Sequence, residues 1–156
     1  MARRNTVRHP EEIRALRREC AGIRRYEDRI REIERERNTL LWKMSGCHVQ
    51  NYEWSGRGGY RETEYGKYVE EREDLRMEEE RLRERIRRVE VCLNAVEPAD
   101  DRLCLWRIYV EGGSLKELAD DCGISAQSLY RRLRMRMDEV FEDEAMRRVM
   151  NGAGGI

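Results

Sequence analysis

The stretch GGSLKELADDCGISAQSLYRRLRMRM, Gly112–Met137, decides how the chain is read. Ser114 followed three residues later by Glu117 is a capping box, so a helix starts at Leu115. Leu115, Leu118 and Ala119 give that helix an apolar face, and it stops at Gly123. Ser125 caps a further helix, whose inward residues are Leu129, Leu133 and Met137. The register between the two helices is specific. Helices that cross closely need a small residue at the contact, and Ala119 is small. Four residues later the turn needs a residue tolerant of positive φ, and Gly123 meets that need. Ile124 then plugs the angle between the helices and Leu129 anchors the second one. The spacing predicts a helix-turn-helix.

The outward face of the second of these helices carries the candidate site. Ser125, Ala126, Gln127 and Ser128 cluster at its start, the part that enters the major groove in this motif. Gln pairs with adenine and Arg bidentately with guanine, so Gln127 and the arginines are the readers such a site needs. Tyr130, Arg131, Arg132 and Arg134 follow, then Arg136, with no acid before Asp138. Arginine elsewhere in the chain is mostly interleaved with glutamate; here it is not. That contrast favours contact with DNA over simple solvation of an exposed helix.

Upstream, Pro98 and the acidic pair Asp100–Asp101 open another helix, with negative charge where the dipole favours it. It is expected to turn Leu103, Trp106 and Val110 inward and to end at Gly112–Gly113. Before it lie two long seams. Ile13, Leu16, Cys20 and Ile23, then Tyr26, Ile30, Ile33, Leu40 and Met44, recur at spacings of three and four, with Arg37 in the seam. Tyr65, Tyr68, Arg72, Leu75, Glu79, Leu82, Ile86, Val89, Leu93 and Val96 repeat the pattern without a slip. Between the seams, glycines at 46, 56, 58 and 59 mark a connection over about residues 45–62. Two seams of similar length joined by one loop predict a long antiparallel coiled-coil hairpin. Its narrow seam makes a homodimer through the hairpin the expected assembly. Trp54, Arg57 and Tyr60 read as tether residues rather than a binding surface, and Cys47–His48 as an incidental pair. The expected organisation is therefore a basic tail over 1–9 containing Arg3, Arg4 and Arg8, a hairpin over 10–96, a helix-turn-helix over 97–142, and a C-terminal helix with a flexible tail over 143–156. The fold class is all-α.

Composition narrows the function. The chain has 156 residues, 41% of them charged, and the acids and bases balance to a formal net charge of zero. No whole-molecule field draws it to nucleic acid, so attraction must come from local patches. The five cysteines are scattered without a CxxC pair and the two histidines stand apart, which argues against a zinc site or a disulfide framework. No apolar run reaches the length of a membrane span, and no signal-peptide core follows Met1. There is no Gly-rich phosphate loop and no histidine paired with a nucleophile, and carboxylate pairs such as Asp120–Asp121 read as solvated helix charge. The expectation is a cytoplasmic protein that is not an enzyme, with no catalytic residue, metal or cofactor.

The run LWRIYVEGGSLKELADDCGISAQSLYRRLRMRM resembles region 4 of sigma-70-type factors over about forty residues. It shares their aliphatic helix ending in Tyr and an acid-glycine pair, then Ser-x-x-Glu-x-Ala, then Gly-Ile-Ser and an Arg-rich helix. Ile108 stands where that family often has Arg, with Arg107 one residue earlier. The wider layout is similar to the ArpU-like and RinA-like regulators of phages and prophages. The resemblance implies a late-gene transcriptional regulator in a bacterial host cell, with promoter or operator double-stranded DNA and host RNA polymerase as partners. It cannot be a full sigma factor, because the residues before the module are seam-patterned. It implies Ser125, Gln127, Ser128, Arg131 and Arg132 as DNA contacts and Ala119, Gly123 and Ile124 as scaffold. Two other readings stand beside it: a packaging component resembling phage small terminase subunits, and a protein-only polymerase adaptor.

Overall fold

The computed structural model describes the backbone of residues 6–53 and 58–152, and the side chains of 6–46 and 64–152. Among these residues the fold is all-α. Six α-helices follow in order: α1 (Pro10–Glu53), α2 (Gly58–Asn94), α3 (Ala99–Leu105), α4 (Leu115–Cys122), α5 (Ala126–Val140) and α6 (Glu144–Asn151). A π-helical turn over Trp106–Val110 continues α3. No described helix is long and apolar enough to cross a membrane.

The packing divides the chain into two units, one made of the chain up to Arg24 together with the chain from Glu84 onward, the other of Arg25–Arg83. This cuts across the expected boundary at 96/97. The reason is hydrophobic. Ile13, Leu16, Cys20 and Ile23 from α1, with Val89, Cys92 and Leu93 from α2, share one core with Leu105, Leu129, Leu133, Met137 and Phe141. Burial in that core pushes the Cys20 thiol up to about 12 and the Cys92 thiol up to about 11, so both stay protonated and packed as small apolar groups. Met150 of α6 is also buried there, so the segment after 143 is a docked helix as far as Asn151. Residues 153–156 lie outside the described residues.

A polar contact closes the first unit. Asp138 is 4% exposed. Its Oδ1 accepts the N–H groups of Arg8 at 3.0 Å and His9 at 2.8 Å, and its Oδ2 accepts Arg8 N–H at 3.1 Å. His9 is the residue whose carbonyl takes the first bond of α1, from Ile13 N–H at 3.1 Å. A carboxylate from α5 thus satisfies donors at the start of α1, where the dipole also favours negative charge. The basic tail expected over 1–9 is therefore tied down at Arg8 and His9, while Arg3 and Arg4 lie outside the described residues.

Two further expectations change. Leu103 is 52% exposed, and α3 buries Asp101, Cys104 and Leu105 instead. The Leu103–Trp106–Val110 stripe presumes an unbroken 3.6-residue period. Glu111 N–H bonds Trp106 O at 2.9 Å, a five-residue step that leaves Trp106 and Val110 half-buried. The connection expected over 45–62 is also shorter, because α1 runs on to Glu53 and α2 begins at Gly58. With no proline in this span, Gly46 costs a helix only about 1 kcal/mol. The helix continues through it, with Ser45 Oγ donating to Leu41 O at 3.0 Å. Trp54 and Arg57, and the side chains of Cys47, His48 and Tyr60, lie outside the described residues.

In the second unit, α1 supplies Tyr26, Ile30, Ile33 and Leu40 as buried residues. The expected seam residues of α2 are half-buried at Tyr68, Leu75 and Leu82, and Tyr65 is 38% exposed. Arg29 grips Glu78 with two bonds, at 3.1 and 2.8 Å, and this hydrogen bonding holds the Glu78 carboxyl below its usual range. The seam charges Arg37 and Glu79 lie 3.5 Å apart. Lys43 sits 5.8 Å from the centre of the Tyr68 ring.

Two stability measurements follow from these contacts. Asp138→Ala strands the N–H groups of Arg8 and His9, and urea denaturation is expected to show a loss of about 1.5–3 kcal/mol. Gly46 has open space where a Cβ would sit. Gly46→Ala is therefore expected to raise stability by roughly 0.5–1 kcal/mol, as helix interiors do; an unchanged midpoint would place residue 46 in a loop.

Candidate functional site

The start of α5 is built by caps. Ser114 Oγ accepts Glu117 N–H at 3.3 Å and starts α4, and Gly123 ends it at φ 70. Only glycine takes that conformation without strain. Ile124 N–H closes the turn on Ala119 O at 3.0 Å, over an Ala119 that is 1% exposed. Ser125 then caps α5. Its Oγ accepts Ser128 N–H at 3.1 Å and pairs with Ser128 Oγ at 2.9 Å. Leu129, Leu133 and Met137 anchor the helix in the core as their spacing predicts.

The eight candidate residues do not form one face. Ala126 is half-buried and packed against the core, so it is scaffold. Ser125 and Ser128 spend part of their hydrogen-bonding capacity on the cap. Gln127, Tyr130, Arg131 and Arg134, with Met135, line a concavity of about 160 Å³. Gln127 and Arg131 are exposed and Arg134 is half-buried. Among the described residues neither Arg131 nor Arg134 has an ion-pair partner.

Arg132 is different. Its Nη2 lies 3.2 Å from Asp101 Oδ1, while Arg136 Nε donates to Asp101 Oδ2 at 2.8 Å. Asp101 is 2% exposed, and these two guanidiniums answer its charge. The same hydrogen bond raises the pKa of Arg136, which also pairs with Glu139 at 3.3 Å. Two of the four arginines on α5 therefore hold α3, and the other two line the concavity without an ion-pair partner among the described residues.

Tyr130 faces Arg17 of α1. Arg17 lies 5.1 Å from the Tyr109 ring centre and 5.8 Å from that of Tyr130, and its Nη1 reaches Tyr130 OH at 3.5 Å. Burial raises the Tyr109 phenol above its ordinary value, although Arg17 beside it pulls the other way. Local sequence pattern does not bring Arg17 to this site. The available signal is charge spacing, since Glu19 is the only acid between Glu12 and Glu27. Among the described residues no group of three or more His, Cys, Asp or Glu is placed to hold a metal ion.

Compared with protein-family models, with curated proteins and with solved structures, the chain matches none.

Proposed function

We propose that the chain is a sequence-specific DNA-binding transcriptional regulator of the phage or prophage late-gene type, with α4 and α5 acting as a helix-turn-helix on promoter DNA. The observation that carries this reading is the start of α5, where Gln127, Arg131 and Arg134 share one concavity without a neutralising carboxylate. Supporting it is the turn, with Gly123 at φ 70, Ser125 as cap and Ala119 buried at the crossing. The resemblance to region 4 of sigma-70-type factors rests on those same residues. In this role the chain binds DNA and catalyses no reaction, in the cytoplasm of a bacterial host, and the same resemblance makes host RNA polymerase a partner.

The remainder presents the reading helix. We read α1 and α2 as an antiparallel hairpin: Arg29 meets Glu78 and Lys43 meets Tyr68, so partner numbers fall along α2 as they rise along α1. Leu41, Trp42, Tyr65 and Val69 are exposed there, Trp42 at 80%, and apolar surface of this kind supports a homodimer through the hairpin. Two modules then meet two half-sites, one or more helical turns apart.

Selection of bound sequences from random duplex DNA at near-physiological salt tests the reading. A short enriched motif is expected, and Gln127→Ala and Arg131→Ala are each expected to cost about 1–3 kcal/mol on it, roughly 5- to 150-fold in affinity. Binding that only fades with salt, without enrichment, would falsify sequence-specific readout. A ring-sized mass in solution would then favour the packaging role, and a smaller one the adaptor.

A further inference from the structure

We propose that a second surface, the arginine row Arg14, Arg17, Arg18 and Arg24 of α1, grips the sugar-phosphate backbone of the duplex beside the bases read by α5. This rests on the DNA-binding reading above and adds an interaction that reading does not contain.

The row is a local excess of positive charge in a chain whose acids and bases balance. Between Glu12 and Glu27 the only acid is Glu19, and it is occupied by Arg85 at 3.0 Å. Arg18 and Arg24 are exposed and have no ion-pair partner among the described residues. Arg14 lies 3.5 Å from Glu11, with both side chains more than 70% exposed, and an exposed pair of that kind is held by little. The spacing of three and four residues sets Arg14, Arg17 and Arg18 on one helix face, and Arg24 continues it about two turns after Arg17.

These residues line an open groove of about 710 Å³ whose other wall is the stretch from Ile108 to Gly112, with Glu111 as its one carboxylate. The groove connects to the reading helix through Arg17, which touches both Tyr109 in the groove and Tyr130 in the α5 concavity. One cationic track therefore runs from α1 to Arg131. From Arg14 to Arg24 the helix rises about 15 Å. One DNA strand places a phosphate every 3.4 Å or so along the duplex axis, so that length covers about four phosphates. An acidic protein segment would also be drawn to the groove, but neither the continuity with α5 nor this match in length would be required of it.

The test uses the full chain and a duplex carrying the motif that the selection enriches. Arg14→Gln, Arg18→Gln and Arg24→Gln are combined, which removes three exposed charges and leaves Arg17 and the core in place; circular dichroism checks the helix content. The same motif is expected to be enriched. The slope of log affinity against log salt is expected to become shallower by about 2.7, and binding near 0.15 M salt to weaken about a hundredfold. Trimming the flanks of the duplex reads the same interaction on the unaltered protein. It should lower wild-type affinity toward that of the triple variant and leave the variant unaffected. An unchanged slope and affinity with the motif intact overturns the α1 interaction alone. If the variant instead loses only binding to a poly-glutamate peptide, the groove takes an acidic protein segment and the proposal also fails. Absence of any DNA binding by the wild type removes both this interaction and the function it rests on.

Discussion

The first unit depends on one buried carboxylate. Asp101, 2% exposed, is held between Arg132 at 3.2 Å and Arg136 at 2.8 Å. A charge at that depth without a partner costs about 3–5 kcal/mol, so removing either helix from the pairing is strongly opposed. The pairing matters more because α3 is only seven residues long, too short to be stable without tertiary support. It joins α3 to α5 from a different side than Leu129 and Leu133 do, and so fixes the rotation of α5 about its axis. That rotation decides which side chains face outward. Arg132 and Arg136 are turned to Asp101, and Gln127, Arg131 and Arg134 are left on the open concavity.

Asp138 has a comparable role near the C-terminal end of α5, just beyond Arg136. By accepting the N–H groups of Arg8 and His9, it places the start of α1 against the same helix that Asp101 orients. Ile13, Leu16 and Cys20 then enter the common core, and Arg17, one position beyond Leu16, is carried to Tyr109 and Tyr130. The order is physical. Apolar positions three and four apart choose the buried face of α1, the Asp138 cap sets its start, and the arginines between those positions are left pointing outward along one side.

Much of this is legible in the sequence, and the parts that are not share a cause. Ala119, Gly123, Ser125, Leu129 and Leu133 are readable because their roles are local: a cap, a left-handed turn, a repeating apolar face. The seam residues from Ile13 to Leu40 are readable for the same reason. Leu103 departs from its expected place because α3 buries the face that carries Asp101, Cys104 and Leu105, and the π turn that follows is announced by no residue in WRIYV. The connection expected over 45–62 is too long because glycine weighs as a breaker in sequence while its cost inside a helix is small. Asp101 reads in sequence as favourable first-turn charge; that it pairs with Arg132 and Arg136, some thirty residues on, is a tertiary fact. Pairing of that kind is what takes Arg132 away from the concavity that Arg131 and Arg134 line, and local pattern carries no trace of it.

A neutral chain with this much arginine raises the question of where a polyanion would find a favourable place to land. In the second unit many of the arginines are already answered. Arg29 is answered by Glu32, Glu36 and Glu78, Arg37 by Glu79, Arg83 by Glu34 and Glu79, and Arg76 by Glu73 and Glu80. A polyanion binding there would have to displace those carboxylates, and the attraction lost would offset the attraction formed. In the first unit three acids are engaged elsewhere: Asp101 and Asp138 are buried in structural roles, and Glu19 is held by Arg85. Among the described residues Arg131 and Arg134 on α5 and Arg18 and Arg24 on α1 have no ion-pair partner. Net charge describes the number of arginines and pairing describes their availability. Only the second determines where local potential survives on a protein whose total is zero.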